Sequence, residues 1–176
     1  MKKTIIIISL IMTFSVSNAQ DKFEFRENSG LTDFVVIELP NQSKSEIYDE
    51  LILWVKRSYI NSDEVIQTTI ENEMIRFKGN YSDIIPFGRS VYSNGADYVV
   101  QIDIKDGKIK LDPLSFVISV AGRSADYLLT NQSTGKMFKK GKIKPMFKDV
   151  VAVETAVFNN MINTIKNPSK SDKDGW

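Results

Sequence analysis

The side chains able to do chemistry in this chain are carboxylates, lysines and hydroxyls, because the 176-residue sequence contains neither histidine nor cysteine. Ser-His-Asp triads, cysteine nucleophiles and His- or Cys-ligated zinc, haem and iron–sulfur sites are therefore excluded. Asp103, Asp106 and Asp112 are separated by lysines and do not follow the calcium-loop pattern. Ser133-Thr134-Gly135-Lys136 has Ser-x-x-Lys spacing, but Gly135 favours a loop over the helix start that Ser–Lys catalysis uses. Residues 135–141 lack the GK[ST] ending of a phosphate loop. A pair of carboxylates for glycoside hydrolysis stays open, since spacing along the chain does not give separation in space. No catalytic residue, metal ligand or cofactor is assigned.

Two stretches are candidates for binding. Residues 82–95, SDIIPFGRSVYSNG, form a loop richer in apolar and aromatic side chains than exposure to water favours. Ile84, Ile85, Phe87, Val91 and Tyr92 either tuck onto the core or line a binding surface, and loops carry much of a protein's function. Phe87, Arg89 and Tyr92 are the residues proposed there for a ligand or partner. Lys136, Lys139, Lys140, Lys142 and Lys144 crowd into nine residues and suit an anionic surface, against the alternative of a solvated basic loop.

The elements that position these residues are organised around residues 96–120. Tyr98, Val100, Ile102 and Ile104 alternate with Val99, Gln101, Asp103 and Lys105, giving an apolar and a mostly polar face. Asp106-Gly107 between alternating runs predicts a tight type I′ hairpin with positive φ at both residues. Ile109 and Leu111 are apolar at odd positions, whereas Leu114, Phe116 and Ile118 are apolar at even ones. A one-residue slip inverts the faces, so a bulge is expected near Asp112-Pro113. Upstream, residues 34–39 predict a strand stopped by Pro40. Ser43-Lys44-Ser45-Glu46 predicts a capping box opening a helix to about Tyr59, with Ile47, Leu51, Trp54, Val55 and Ser58 on its buried stripe. Trp54 within that stripe reads as core. Residues 65–71 and 74–81 predict a second hairpin, with Ile66, Ile70, Ile75 and Phe77 inside. Residues 147–167 predict a last helix with a wide apolar arc, one stripe of which is Val150, Val153, Val157, Met161 and Ile165, flanked by Val151, Phe158 and Ile162.

Residues 1–19 read as an export signal: Lys2 and Lys3, an apolar run too short for a comfortable membrane span, and Ser17-Asn18-Ala19 before the cleavage point. Residues 20–33 read as a polar lead-in and 34–166 as one α+β domain, within which 121–146 is an irregular basic loop. Residues 167–176 read as a disordered tail. No transmembrane segment is expected in the mature chain, and without cysteine its stability rests on its core. Removing the two leader lysines turns the formal charge of +1 into about −1, which argues against nucleic-acid binding.

The sequence VIELPNQSKSEIYDELILWVKRSY, the following DEVIQ and the DIKDGKIK turn resemble a domain of unknown function with a TATA-binding-protein-like fold. The resemblance rests on Glu38-Leu39-Pro40, Ile47-Tyr48, Trp54, Val65-Ile66 and Lys105-Asp106-Gly107-Lys108, over about residues 34–118. It implies an antiparallel curved sheet with two helices on one face, in the order β-α-β-β-β-β-α. It also implies an exported protein of Gram-negative bacteria, and it carries no activity to transfer. The fold name does not imply DNA binding. The outward sheet face would hold Gln67, Glu71, Arg76, Gln101, Asp103 and Lys105, a mixed-sign set unlike the cations and apolar wedges of minor-groove binders. The expected function is a non-catalytic exported envelope module, periplasmic or secreted, that binds a partner protein, a second copy of itself or a small apolar ligand. The alternative is a carboxylate-dependent hydrolase of envelope glycans or lipids.

Overall fold

The computed structural model describes residues 21–27, 29–87, 91–120, 122–128 and 137–168. The stretch read as an export signal (1–19), Arg89, Lys136 and the residues beyond 168 lie outside these residues. The chain opens with β1 (Phe25–Arg26), β2 (Gly30–Leu31) and β3 (Val35–Glu38). Helix α1 (Lys44–Ser58), the single turn α2 (Ser62–Val65), β4 (Ile66–Ile70) and β5 (Met74–Tyr81) follow. A small hairpin, β6 (Ile85–Pro86) and β7 (Tyr92–Ser93), precedes the long strands β8 (Ala96–Lys105) and β9 (Lys108–Val120). The last elements are β10 (Arg123–Asp126), a hairpin of β11 (Phe138–Lys139) and β12 (Lys142–Ile143), and α3 (Lys148–Lys166).

The main sheet is six-stranded and antiparallel, in the order β10-β9-β8-β5-β4, with β3 on the other half of β9. Both long helices pack on one face. Trp54 of α1 meets Phe77 of β5 with ring centroids 5.6 Å apart, and Phe158 of α3 meets Tyr98 and Phe116 of β8 and β9 at 6.1 and 6.0 Å. The expected α+β architecture is what the chain adopts. Among the described residues no helix is long and apolar enough to cross a membrane.

Helix α1 begins as its sequence dictates. The Ser43 hydroxyl accepts from the Glu46 amide and the Glu46 carboxylate accepts from the Ser43 amide. A second anion serves the same end, because Asp106 Oδ1 accepts from the Lys44 amide at 2.9 Å. The Gly107 amide donates to the Gln42 carbonyl, and the Leu39 amide donates to the Gly107 carbonyl. The β8–β9 turn is thus bolted to the helix start. This docking sets its shape: Gly107 has φ +73°, but Asp106 does not take the expected positive φ.

The bulge expected near Asp112-Pro113 is present, and its exact place, together with three burial expectations, is refined by the structure. The extra residue of β9 is Leu114, because Val99 pairs with Ser115 and Val100 with Pro113. Pro113 therefore faces the core and Leu114 turns outward. In β4 a register shift at Gln67 puts Thr69 opposite buried Ile75, so Ile70 faces solvent at 50% exposure. In α3 the buried line is Val150, Glu154, Phe158, Met161 and Ile162, with Val153 and Val157 only half-buried. Finally, Ser58 is exposed at the end of the α1 stripe.

The segments read as polar or irregular also contribute to the fold. Phe23 is buried against Phe158 at 5.5 Å, and the Asn159 amide bridges the Phe23 backbone in both directions, so the lead-in closes one side of the core. The stretch 121–146 contains β10, which extends the sheet, and the β11–β12 hairpin, which buries Met137. The outward sheet face carries a polar ladder in which Arg76 donates to Gln101, Gln101 to Asp103, and Lys110 bridges Asp103 and Asp112 at 3.0 and 3.3 Å. The hydrogen bond to Asp103, opposed by partial burial and supported by Asp112, raises the Lys110 pKa.

Removing the turn's carboxylate tests the bolt. Asp106→Ala leaves one first-turn amide without its acceptor and is expected to cost about 1 kcal/mol. The urea midpoint should fall with an unchanged slope; an unchanged midpoint would show that the contact contributes nothing.

Candidate functional site

A broad, open concavity lies where α1 ends, between α1, α3 and the far ends of β5 and β8. Its volume is about 600 Å³. Helix α1 supplies Arg57 and Ser58, and Tyr59 follows it. Along α3, Ala156, Asn160 and Thr164 recur at four-residue steps and so share one face, beside Val157 and Met161. Asn80 and Tyr81 close the end of β5, and Tyr98 forms the floor.

The floor is shaped by one glycine. Gly79 lies directly opposite Tyr98 across β5 and β8, and a Cβ there would sit 2.3 Å from the phenol ring. The absent side chain lets the Tyr98 ring lie flat across β5 and reach Tyr59, whose hydroxyl is 3.1 Å from its own. Burial, first of all, raises the Tyr59 phenol far above its usual range, and Tyr98 adds to the shift. Burial also raises Tyr98, against a smaller lowering from the bond to Tyr59. Both phenols therefore stay protonated and act as neutral hydrogen-bonding groups, not as bases. Trp54 is held by a bond from its Nε1 to Thr164 Oγ1 at 3.2 Å and by edge contacts with Tyr59 and Phe77. Asn80 Nδ2 donates to Asp97 Oδ1 at 2.9 Å, which fixes the amide at the rim.

The lining contains no carboxylate, and its only charged residue is Arg57. Buried Glu154 lies on α3 but not in this lining. Among the described residues no three acidic side chains stand close enough to hold a metal ion. An aromatic, amide- and hydroxyl-bearing cleft can bind and orient a molecule through apolar contact and a few hydrogen bonds.

Those residues singled out from the sequence that the structure describes lie elsewhere and separate into two kinds. Phe87 is buried at 6% exposure in an aromatic cluster with Tyr127 and Phe147, at 5.2 and 5.4 Å. Tyr92, paired with Pro86 across the β6–β7 hairpin, is 57% exposed beside exposed Val91. Lys139, Lys140 and Lys142 are exposed on the β11–β12 hairpin, and Lys144 is half-buried at its exit. The cleft itself was not singled out from the sequence. Its one legible trace is the Ala156, Asn160, Thr164 stripe, one small and two polar side chains beside an otherwise apolar arc.

Residues 34–119 match the family described as "Domain of unknown function (DUF4468) with TBP-like fold". No curated protein matches the chain. Two solved structures do, at identities that speak to fold alone. A TBP-like protein from Parabacteroides distasonis aligns with a TM-score of 0.52 and 16% identity, over 81% of this chain and 96% of that one. A DUF4468 family protein from Bacteroides ovatus aligns with a TM-score of 0.50 and 13% identity, over 81% of this chain and 84% of that one.

Two outcomes follow. Phe87→Ser should destabilise the domain by about 3 kcal/mol or more through loss of a packed ring, whereas Tyr92→Ser should leave the melting temperature nearly unchanged. Equal effects of the two in thermal melts would refute this division. In an alkaline ultraviolet titration, Tyr59 and Tyr98, two of the six tyrosines, should ionise only as the fold opens. Because their folded pKa values are raised, the associated stability is complete below pH ~10 and is lost as pH rises above it. Six tyrosines titrating together near pH 10, with the protein still folded, would contradict the assignment.

Proposed function

With residues 34–119 matching a family described only as a domain of unknown function with a TBP-like fold, we propose that this protein is a non-catalytic binding module. It captures a small, largely apolar organic molecule in the cleft between α1 and α3, and it works outside the cytoplasm. The cleft carries this reading: about 600 Å³, with aromatic rings, neutral amides and hydroxyls around an apolar wall of Ala156, Val157 and Met161. This matches the general character of ligand pockets, which are mostly apolar with a few placed polar groups. Export is supported by Lys2, Lys3 and the short apolar run that follows, and by a cysteine-free composition that makes no demand on the redox state of its surroundings. Hydrolysis by paired carboxylates gains no support from the cleft, which offers none.

Ala156→Trp tests the reading. Ala156 is exposed at the cleft's rim on a helix, so the added indole fills the opening with little effect on the core. Native mass spectrometry of protein purified gently from producing cells should show a small co-purifying mass on the unsubstituted chain and none on Ala156→Trp. The same mass on both, or on neither, would overturn the proposal.

A further inference from the structure

Residues 127–148 contain six lysines and no aspartate or glutamate. Three of the lysines sit at the tip of the β11–β12 hairpin, where Lys139 pairs directly with Lys142 around the two-residue turn Lys140-Gly141. Like charges placed opposite each other across two strands repel. Lys140 adds a backbone cost, because it takes φ +53° in the left-handed region. The other two non-glycine residues with positive φ among the described residues, Asn41 and Asn72, are asparagines, which tolerate that region far better. The chain therefore accepts two local penalties in one four-residue turn.

A second hairpin of the same protein places acids at the same kind of turn. Lys105 and Lys108 also pair around a two-residue turn, where Glu38 lies opposite Lys108 and Asp106 stands in the turn itself, although neither lysine is ion-paired among the described residues. At the β11–β12 tip no described acidic residue lies within ion-pairing distance of Lys139, Lys140 or Lys142. The hairpin is nonetheless firmly seated. Met137 is buried, Phe138 stacks on Phe25 with centroids 6.4 Å apart, and the Lys144 amide donates to the Met137 carbonyl at 2.8 Å. Its cations are presented on a fixed support. Exposed Pro145 and Met146 follow directly, and Lys148 adds another exposed cation.

We propose that this hairpin is a membrane-contact site, in which Lys139, Lys140 and Lys142 engage phosphate-bearing anionic lipid headgroups and Met146 enters the headgroup boundary. Strain and like-charge crowding at a surface turn point to a ligand of opposite sign, and Met146, exposed on the segment that leaves the hairpin, favours a lipid surface over a soluble polyanion. This inference is independent of the cleft and would place the open mouth of the module at a fixed attitude to a bilayer.

Co-sedimentation of the purified protein with vesicles tests it, comparing pure phosphatidylcholine with vesicles one part in four phosphatidylglycerol. Binding is expected to the anionic vesicles alone and to weaken as salt rises. Each lysine removed should cost about fivefold, so Lys139→Ala, Lys140→Ala and Lys142→Ala together should cost roughly a hundredfold. The double change Lys105→Ala, Lys108→Ala should leave binding unchanged. Lys140→Gly gives the most telling arm, since it relieves the backbone: its melting temperature should rise while its vesicle binding falls. Met146→Ser should weaken binding to anionic vesicles without altering its salt dependence. Equal binding to both vesicle types, no binding at low salt, or a triple variant that binds like the parent would overturn the proposal. So would displacement from the vesicles by inorganic phosphate at concentrations that leave ionic strength unchanged, which would make the site a receptor for free phosphate.

Discussion

The structure depends on the burial of one ring. Phe158, at the middle of α3, has no exposed surface and touches Phe23 from the lead-in, Tyr98 from β8 and Phe116 from β9. Burying a phenylalanine of this kind contributes a few kcal/mol, a large share of the net stability of a small domain. It also fixes the roll of α3 about its axis. Once Phe158 faces the sheet, Ala156 and Asn160 lie on the opposite, exposed side of α3 and Thr164 turns toward α1, and these three line one wall of the cleft. The same rotation lets Thr164 meet the Trp54 indole, so the helices are joined through a polar contact at the site's edge.

A second joint explains what kind of information the family resemblance carries. Leu39, Gln42, Lys44, Asp106 and Gly107 are drawn together by three backbone amides, which link the end of β3, the helix start and the hairpin turn. These positions fall within or between the stretches by which the sequence resembles the family. Their work is to fasten α1 across the central hairpin. A signature made of fastening residues marks a fold and leaves chemistry unspecified, in keeping with a family known by its architecture. The outward sheet face points the same way: its charges satisfy one another from Arg76 to Asp112 and present no single-sign field.

What was legible in the sequence was local. The capping box at Ser43 and Glu46, the alternation of Tyr98 to Ile104 and the turn at Gly107 each depend on residues a few positions apart. Bulges were legible only approximately, because Pro113 and Leu114 are both apolar and alternation cannot say which of them is the extra residue. Ile70 looked buried because nothing in IQTTI marks Gln67 as the place where the register slips. The lead-in looked polar because the partner of Phe23 lies far along the chain, in α3. The cleft was the least legible of all. It draws on the end of α1, β5, β8 and α3, and its floor depends on a missing side chain at Gly79, whose meaning appears only when Tyr98 is placed opposite.

The central claim is that the cleft between α1 and α3 receives a small, mostly apolar molecule. Backbone amide NMR of isotope-labelled protein, recorded before and after adding an organic-solvent extract of the producing cells' envelope, tests it most directly. The account predicts shifts concentrated at Arg57 to Tyr59, Asn80, Tyr81, Tyr98 and one face of α3 from Ala156 to Thr164. A spectrum that does not change, or changes confined to surfaces away from these residues, would contradict it.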